Sequence, residues 1–249
     1  MTVPLYQWPR AAHFGRVIPK TKLYEHANVS PAVRHRFVAD VQRVTWQYKL
    51  AEDTIHLRGG DAVTEIEVFG IEIKGEDVGN DVLAAIDRAV PHPIIFEIMR
   101  SVTPGEAGVG TPSVRMVAAH KQTGAGKARV SAYFSADWRP ADASRSSLPP
   151  AIDLATMYTA LLAPLLPLQI RPGEALSDAT GRIERTHALD REISSLERNI
   201  RTEPQFNRQV ELRRKLKDRL AMRDQLTDAA ASADLKTRPL PAKDTPWTS

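Results

Sequence analysis

The stretch RTEPQFNRQVELRRKLK, residues 201–217, is dense in charge and carries one proline inside a long helix-like run. Its reading decides the fold of the C-terminal quarter of the chain. Upstream, Leu189, Ile193, Leu196 and Ile200 follow one another at spacings of four, three and four. That is the a/d pattern with which one side of a helix presses against a partner helix. Pro204 disfavours helical geometry at Glu203, so the first helix is expected to end near Arg201 or Thr202. Proline is tolerated at the first position of a new helix. A second helix then carries Val210, Leu212, Leu216, Leu220 and Leu226 on a less regular seam. Two helices joined by a short turn lie antiparallel and bury each other's seams. Residues 174–229 therefore read as an antiparallel coiled-coil hairpin with its tip near 201–205. At about 1.5 Å per residue, each arm reaches roughly 35 Å. A single kinked helix that dimerises in trans is the rival reading.

The cations of this stretch have two uses open to them. Arg208, Arg213, Arg214, Lys215, Lys217 and Arg219 face only Glu211 and Asp218 nearby. They form either a solvated helix face, with intrahelical pairs such as Glu211–Lys215 at i, i+4, or a surface for a partner protein or nucleic acid. No aromatic residues are interleaved with them to stack on bases.

Working outward, the 249-residue chain is long enough for one domain and an appendage. Its net charge of +4 is mild for a nucleic-acid-binding protein. The absence of cysteine excludes disulfides, thiolate nucleophiles and cysteine-ligated metals. The N-terminus lacks the apolar core of a secretory signal. The most apolar run, residues 157–170, falls short of the roughly 20 residues a membrane span needs. The expectation is a cytoplasmic protein without a membrane partner.

Residues 1–20 read as an irregular arm broken by Pro4, Pro9, Gly15 and Pro19. Ser30-Pro31 opens a helix, as N-cap and N1. Val33, Phe37, Val41 and Val44 then predict one helical face running to about Tyr48. TIHL, residues 54–57, reads as a short strand. TEIEVFGIEIKG, residues 64–75, is a strand whose apolar phase slips near Phe69-Gly70, which suggests a β-bulge there. Residues 80–90 form an amphipathic helix ended by Pro91 and Pro93. Residues 94–99, 114–119 and 128–134 read as strands joined by short glycine-containing loops, which favours antiparallel pairing. Residues 139–150 look like a linker and 153–163 a short helix packing back on the sheet. Trp46, Tyr48, Tyr133, Phe134 and Trp138 read as core aromatics.

The blocks IPKTKLYEHANVSPAVRHRFVADVQRVTWQYKL, TEIEVFGIEIK, AVPHPIIFEI, YFSADW and LERNIRTEPQFNRQVELRRKLK resemble, in order, those of the bacterial domain-of-unknown-function family 4391. The resemblance spans residues 18–226, and QFNRQVEL is its most specific block. It brings no catalytic residues. Family members are often encoded beside helicases and DNA methyltransferases, in loci resembling restriction or anti-phage systems. It therefore implies a defence-associated protein, with a helicase- or methyltransferase-type partner and DNA as a further one. Pro204 and the Gly/Pro-rich insertions at residues 103–112 and 141–150 depart from the family pattern.

One enzymatic reading competes. Glu72-Ile73-Lys74 has the E-x-K form of restriction-endonuclease-fold nucleases, in which carboxylates hold Mg2+ and a lysine positions the attacking water. Asp61 lies a plausible distance upstream. Against it, any half-exposed strand produces E-x-K by alternation. No Pro-Asp turn accompanies Asp61, and a helix followed by three antiparallel strands is not the αβ finish that fold requires. The seven histidines show no helical metal spacing. The glycines at 105–110 and 124–127 lack P-loop spacing.

The sequence thus predicts an α+β protein. Residues 1–138 form an α+β domain, a mainly antiparallel sheet with packed helices that includes the irregular N-terminal arm. Residues 139–173 are a linker with a short helix, 174–229 a helical hairpin and 230–249 a disordered tail. The expected function is a non-enzymatic assembly subunit without cofactor. Mg2+ enters only with the nuclease alternative at Asp61, Glu72 and Lys74.

Overall fold

The computed structural model describes residues 3–101, 112–122 and 129–228. The chain divides into two units, residues 1–167 and 168–249. In the first unit the elements run β1 (Leu5–Tyr6), β2 (His13–Val17), α1 (Lys20–Ala27), α2 (Pro31–Asp40), β3 (Val41–Ala51), α3 (Glu52–Ile55) and β4 (Glu65–Ile73). They continue as α4 (Asn80–Ala89), β5 (Ile94–Arg100), β6 (Ser113–Gln122), β7 (Arg129–Ser135), β8 (Arg139–Pro140), β9 (Arg145–Ser146) and α5 (Leu154–Leu162). The second unit contains α6 (Leu176–Thr202) and α7 (Phe206–Thr227). The expectations for residues 103–111, 124–127 and 230–249 fall outside the described residues.

The main sheet has the order β2-β3-β4-β5-β6-β7, with β8 also paired to β6. Every pairing in it is antiparallel except β4–β5, which is parallel. The α4 crossover makes that parallel pair, because a parallel return needs a long connection. So the helix after β4 does finish as a βαβ unit, and one objection to a nuclease-type topology is removed. The α+β class with a mainly antiparallel sheet stands.

Both faces of β4 are dry. On one face, Phe69, Ile71 and Ile73 join Phe96, Ile98 and Val117 beneath Val82, Leu83 and Ile86 of α4, with Leu23 of α1 and Phe37 of α2. On the other, α5 packs on β4 and β6. A strand covered on both sides loses the alternation that marks a half-exposed one.

Several local expectations are corrected. The helix predicted to reach Tyr48 ends at Asp40, and residues 41–51 are β3. The register of β3 slips at Gln42, so that Val41 faces Ile73 and Val44 faces Ile71. The bulge puts two valines three residues apart on one sheet face, which imitates helical spacing. The bulge expected at Gly70 lies in the partner strand, at Gln47, between the pairs Trp46–Phe69 and Tyr48–Val68. A Cβ on Gly70 would stand 2.4 Å from Gln47 Nε2, so this glycine makes room for the bulged side chain. TIHL does not form a strand. Thr54 and Ile55 end α3, where the Thr54 hydroxyl accepts from the Ala51 N–H and donates to the Lys49 carbonyl.

The N-terminal arm is ordered structure. β1 pairs with β9, and the Trp8 indole donates to Glu97 Oε1 at 2.8 Å. Arg145 donates to both oxygens of the same buried carboxylate, at 2.7 and 3.1 Å. The stretch read as a linker from 139 therefore belongs, up to residue 167, to the first unit. The short helix within it was expected, and Asp153 caps it by accepting from the Thr156 N–H.

Lys121 of β6 is a fully buried cation. Its ammonium donates to the carbonyls of Asp87 (2.5 Å), Val90 (2.7 Å) and His92 (3.1 Å) and stands 3.1 Å from the Asp87 carboxylate. The Asp87 carbonyl is one that the last turn of α4 leaves without an intrahelical partner, and those of Val90 and His92 belong to the turn that follows it. Tyr133 donates its hydroxyl to the same carboxylate. Burial raises the Asp87 pKa, while Lys121 and the Tyr133 hydrogen bond oppose the rise. Lys121→Ala strands that carboxylate and three carbonyls. It is expected to cost about 3–5 kcal/mol, read as a lower urea midpoint at unchanged slope.

Candidate functional site

α6 and α7 run antiparallel. Gln209 donates to the Ile200 carbonyl, Arg219 pairs with Glu192 at 2.8 Å, and Arg182 donates to the Leu226 carbonyl. Partners that recede in opposite directions along the chain define this sense. Pro204 sits in the link between the helices, two residues before α7 begins. The open end is clamped by two arginines that the sequence reading passed over. Arg171 donates to the carbonyls of Gln225, Leu226 and Asp228. The buried Arg182 forks onto Glu174, with both bonds at 2.8 Å, and reaches the Gln169 carbonyl. Cations on the last carbonyls of a helix complement its dipole.

The seam is only partly closed. Ile193 is buried, but Leu189, Leu196 and Ile200 of α6 and Leu212, Leu216, Leu220 and Leu226 of α7 are only half-buried. α7 has no buried residue at all. Phe206 and Val210 are 72% and 49% exposed. With Arg213, Arg214 and Lys217 they form one stripe at helical spacing. Arg208 pairs with Glu203 and Arg219 with Glu192, so those two cations are engaged within the hairpin. Arg213, Arg214 and Lys217 are exposed. Lys215, together with Asp218, Arg219 and Met222, lines a groove of about 690 Å³ between the helices.

The nuclease candidates are not brought together. Asp61 precedes β4 and Glu72 lies near its far end, with the strand path from Glu65 to Glu72 alone spanning about 23 Å. Glu72 is engaged by Arg43. The Lys74 ammonium donates to the Val38 carbonyl at 2.6 Å.

At the other end of β4 the structure assembles a constellation that the sequence reading missed. Glu65, Glu67 and His92 each place a ligand atom within 4.8 Å of the others. They line a cleft of about 460 Å³ with Lys22 and His26 of α1 and Lys49 of β3. The bulge at Gln47 reverses the phase of β3, so that Lys49 pairs with Glu67 across the sheet. The Lys49 ammonium lies 3.4 Å from the Glu65 carboxylate, which raises its pKa. Glu67 is buried, and desolvation, reinforced by the charge of Glu65, pushes its carboxyl up to about 8. The alternation Glu65-Ile66-Glu67-Val68 reads as a wet glutamate face. A signal against that was present. Glu67 shares parity with Phe69, Ile71 and Ile73, so its face is the one that enters the core.

A three-layer α+β unit followed by a basic helical hairpin is the class of protein these features define. The chain belongs to the family DUF4391, a domain of unknown function, whose model it matches over residues 7–221. No curated protein and no solved structure matches it. No helix among the described residues is long and apolar enough to cross a membrane.

The Glu67 carboxyl makes stability depend on pH. Its folded value, raised from 4.5 to about 8, means that the folded chain holds more protons than the unfolded one between those limits. Its contribution is complete below the lower value and is lost as pH rises through the upper one. Glu67→Gln is expected to flatten that decline and to be more stable than wild type above about pH 8. Urea midpoints measured across this range in EDTA check it.

Proposed function

We propose that the protein is a non-enzymatic assembly subunit of a multi-protein, DNA-directed bacterial defence complex, and that the hairpin is its docking element. The observation that supports this reading is the outer stripe of α7, where Phe206 and Val210 stand exposed ahead of Arg213, Arg214 and Lys217. Two helices alone cannot cover seams of this width, and a third helix from a partner would complete the core. The partner surface is then apolar with an acidic border. The partner class, a helicase or methyltransferase subunit, comes from the family resemblance rather than from geometry.

A second reading, direct nucleic-acid binding, draws on Arg213, Arg214 and Lys217, cations for which no acidic partner is found among the described residues. The apolar head of the stripe favours a protein, because phosphate contact has no use for Phe206 or Val210.

Phe206→Asp combined with Val210→Asp changes exposed residues and should leave stability within about 0.5 kcal/mol. It is expected to weaken co-purification with the helicase- or methyltransferase-type neighbour at least tenfold. Undiminished recovery refutes the docking reading. Under the second reading, changing Arg213, Arg214, Lys215 and Lys217 to glutamine lowers the salt slope of DNA binding by about 0.9 per lost phosphate contact. An unchanged slope removes it.

A further inference from the structure

We propose that Glu65, Glu67 and His92 form a binding site for a first-row divalent cation of the manganese–zinc type, in the cleft between α1 and β4. The three ligand atoms converge from β4 and from the segment that follows α4, all within 4.8 Å of one another. Neighbouring ligands of a cation bound at about 2.1 Å stand about 3 Å apart, so small side-chain rotations close the set. Two carboxylate oxygens and one imidazole nitrogen are a mixed donor set. Imidazole disfavours Mg2+ and Ca2+, which prefer oxygen alone, and suits Mn2+, Fe2+ and Zn2+.

A second observation points to a ligand independently of the cluster. Glu67 is only 3% exposed and yet lines the cleft. Among the described residues no N–H donor is found hydrogen-bonded to its carboxyl, and the Glu65 carboxyl stands beside it. The nearby Lys121 is consumed by Asp87, Val90 and His92, and Lys49 stands on Glu65. A cation bound between the two carboxyls would offset the cost of burying their charge.

The frame around the trio is rigid. The Glu67 N–H donates to the Pro93 carbonyl at 2.9 Å, which fixes the strand against the residue beside His92. Lys121 holds the His92 carbonyl, and the Thr64 hydroxyl lies 3.4 Å from His92 Nδ1. Such outer partners orient metal ligands. Three protein ligands leave positions open on the cation. Lys22, His26 and Lys49 surround the same cleft, so an anionic co-ligand would meet a favourable field. The site lies in the first unit and does not depend on the hairpin reading.

The test is Mn2+ titration of the EDTA-stripped full chain, followed by loss of the free Mn2+ electron-spin resonance signal. One equivalent is expected to bind and to be displaced by Zn2+. Glu67→Gln and His92→Ala are each expected to weaken binding at least tenfold, with unchanged circular dichroism in EDTA showing that both variants fold. Glu72→Gln is expected to bind as wild type does. Absence of stoichiometric binding to wild type overturns the site, as does equal binding by Glu67→Gln. Loss of binding in Glu72→Gln but not in Glu67→Gln moves the cation to the E-x-K end of β4 and equally overturns it.

Discussion

One buried ammonium group closes the crossover on which the first unit is built. β4 and β5 lie parallel, so α4 must end, turn and deliver β5 beside β4 within a few residues. The turn leaves carbonyls at Asp87, Val90 and His92 pointing into the protein, and Lys121 takes all three. A buried lysine is tolerable only when its donors are spent and its charge is opposed, and Asp87 supplies the opposite charge. The same contact fixes the backbone of His92. The geometry of the carboxylate–histidine cleft therefore follows from a structural ion pair that is not itself part of the cleft.

A second buried charge acts in the same manner on the opposite sheet face. Glu97 gathers Trp8 and Arg145, and with them β1 and β9. Segments far apart in sequence are thus tied to one carboxylate. Neither segment has enough apolar alternation to announce itself as a strand. Their order comes from a partner in the middle of β5. The two ion clusters divide the labour: Lys121 and Asp87 fix the crossover, while Glu97 fastens the N-terminal arm and the β9 segment to the sheet.

The two bulges in β3 explain most of the distance between the residue pattern and the site. The slip at Gln42 brought Val41 and Val44 to one face and gave a strand the spacing of a helix. The slip at Gln47 turned Lys49 toward Glu65 and Glu67. Bulges are settled by pairing with another strand, so a pattern read along one strand does not contain them. Gly70 is the visible trace, but the bulge lies in the partner strand, because the glycine accommodates a bulge instead of making one. His92 had no spacing partner, since its partners lie across the sheet.

The sequence by itself determined what is local: the α4 amphipathic face, the capping of α2, the short helix α5, the three later strands, and a hairpin whose a/d spacing and Pro204 place its two arms. Each of these rests on periodicity or on a backbone constraint that a few neighbouring residues express completely. Only the tertiary structure decided the parallel β4–β5 pairing, the burial of Glu67 and its meeting with His92, and the capture of the N-terminal arm by Glu97. Those features depend on which faces are covered and which distant charges are matched. Such burial and pairing energies belong to no single segment of the chain.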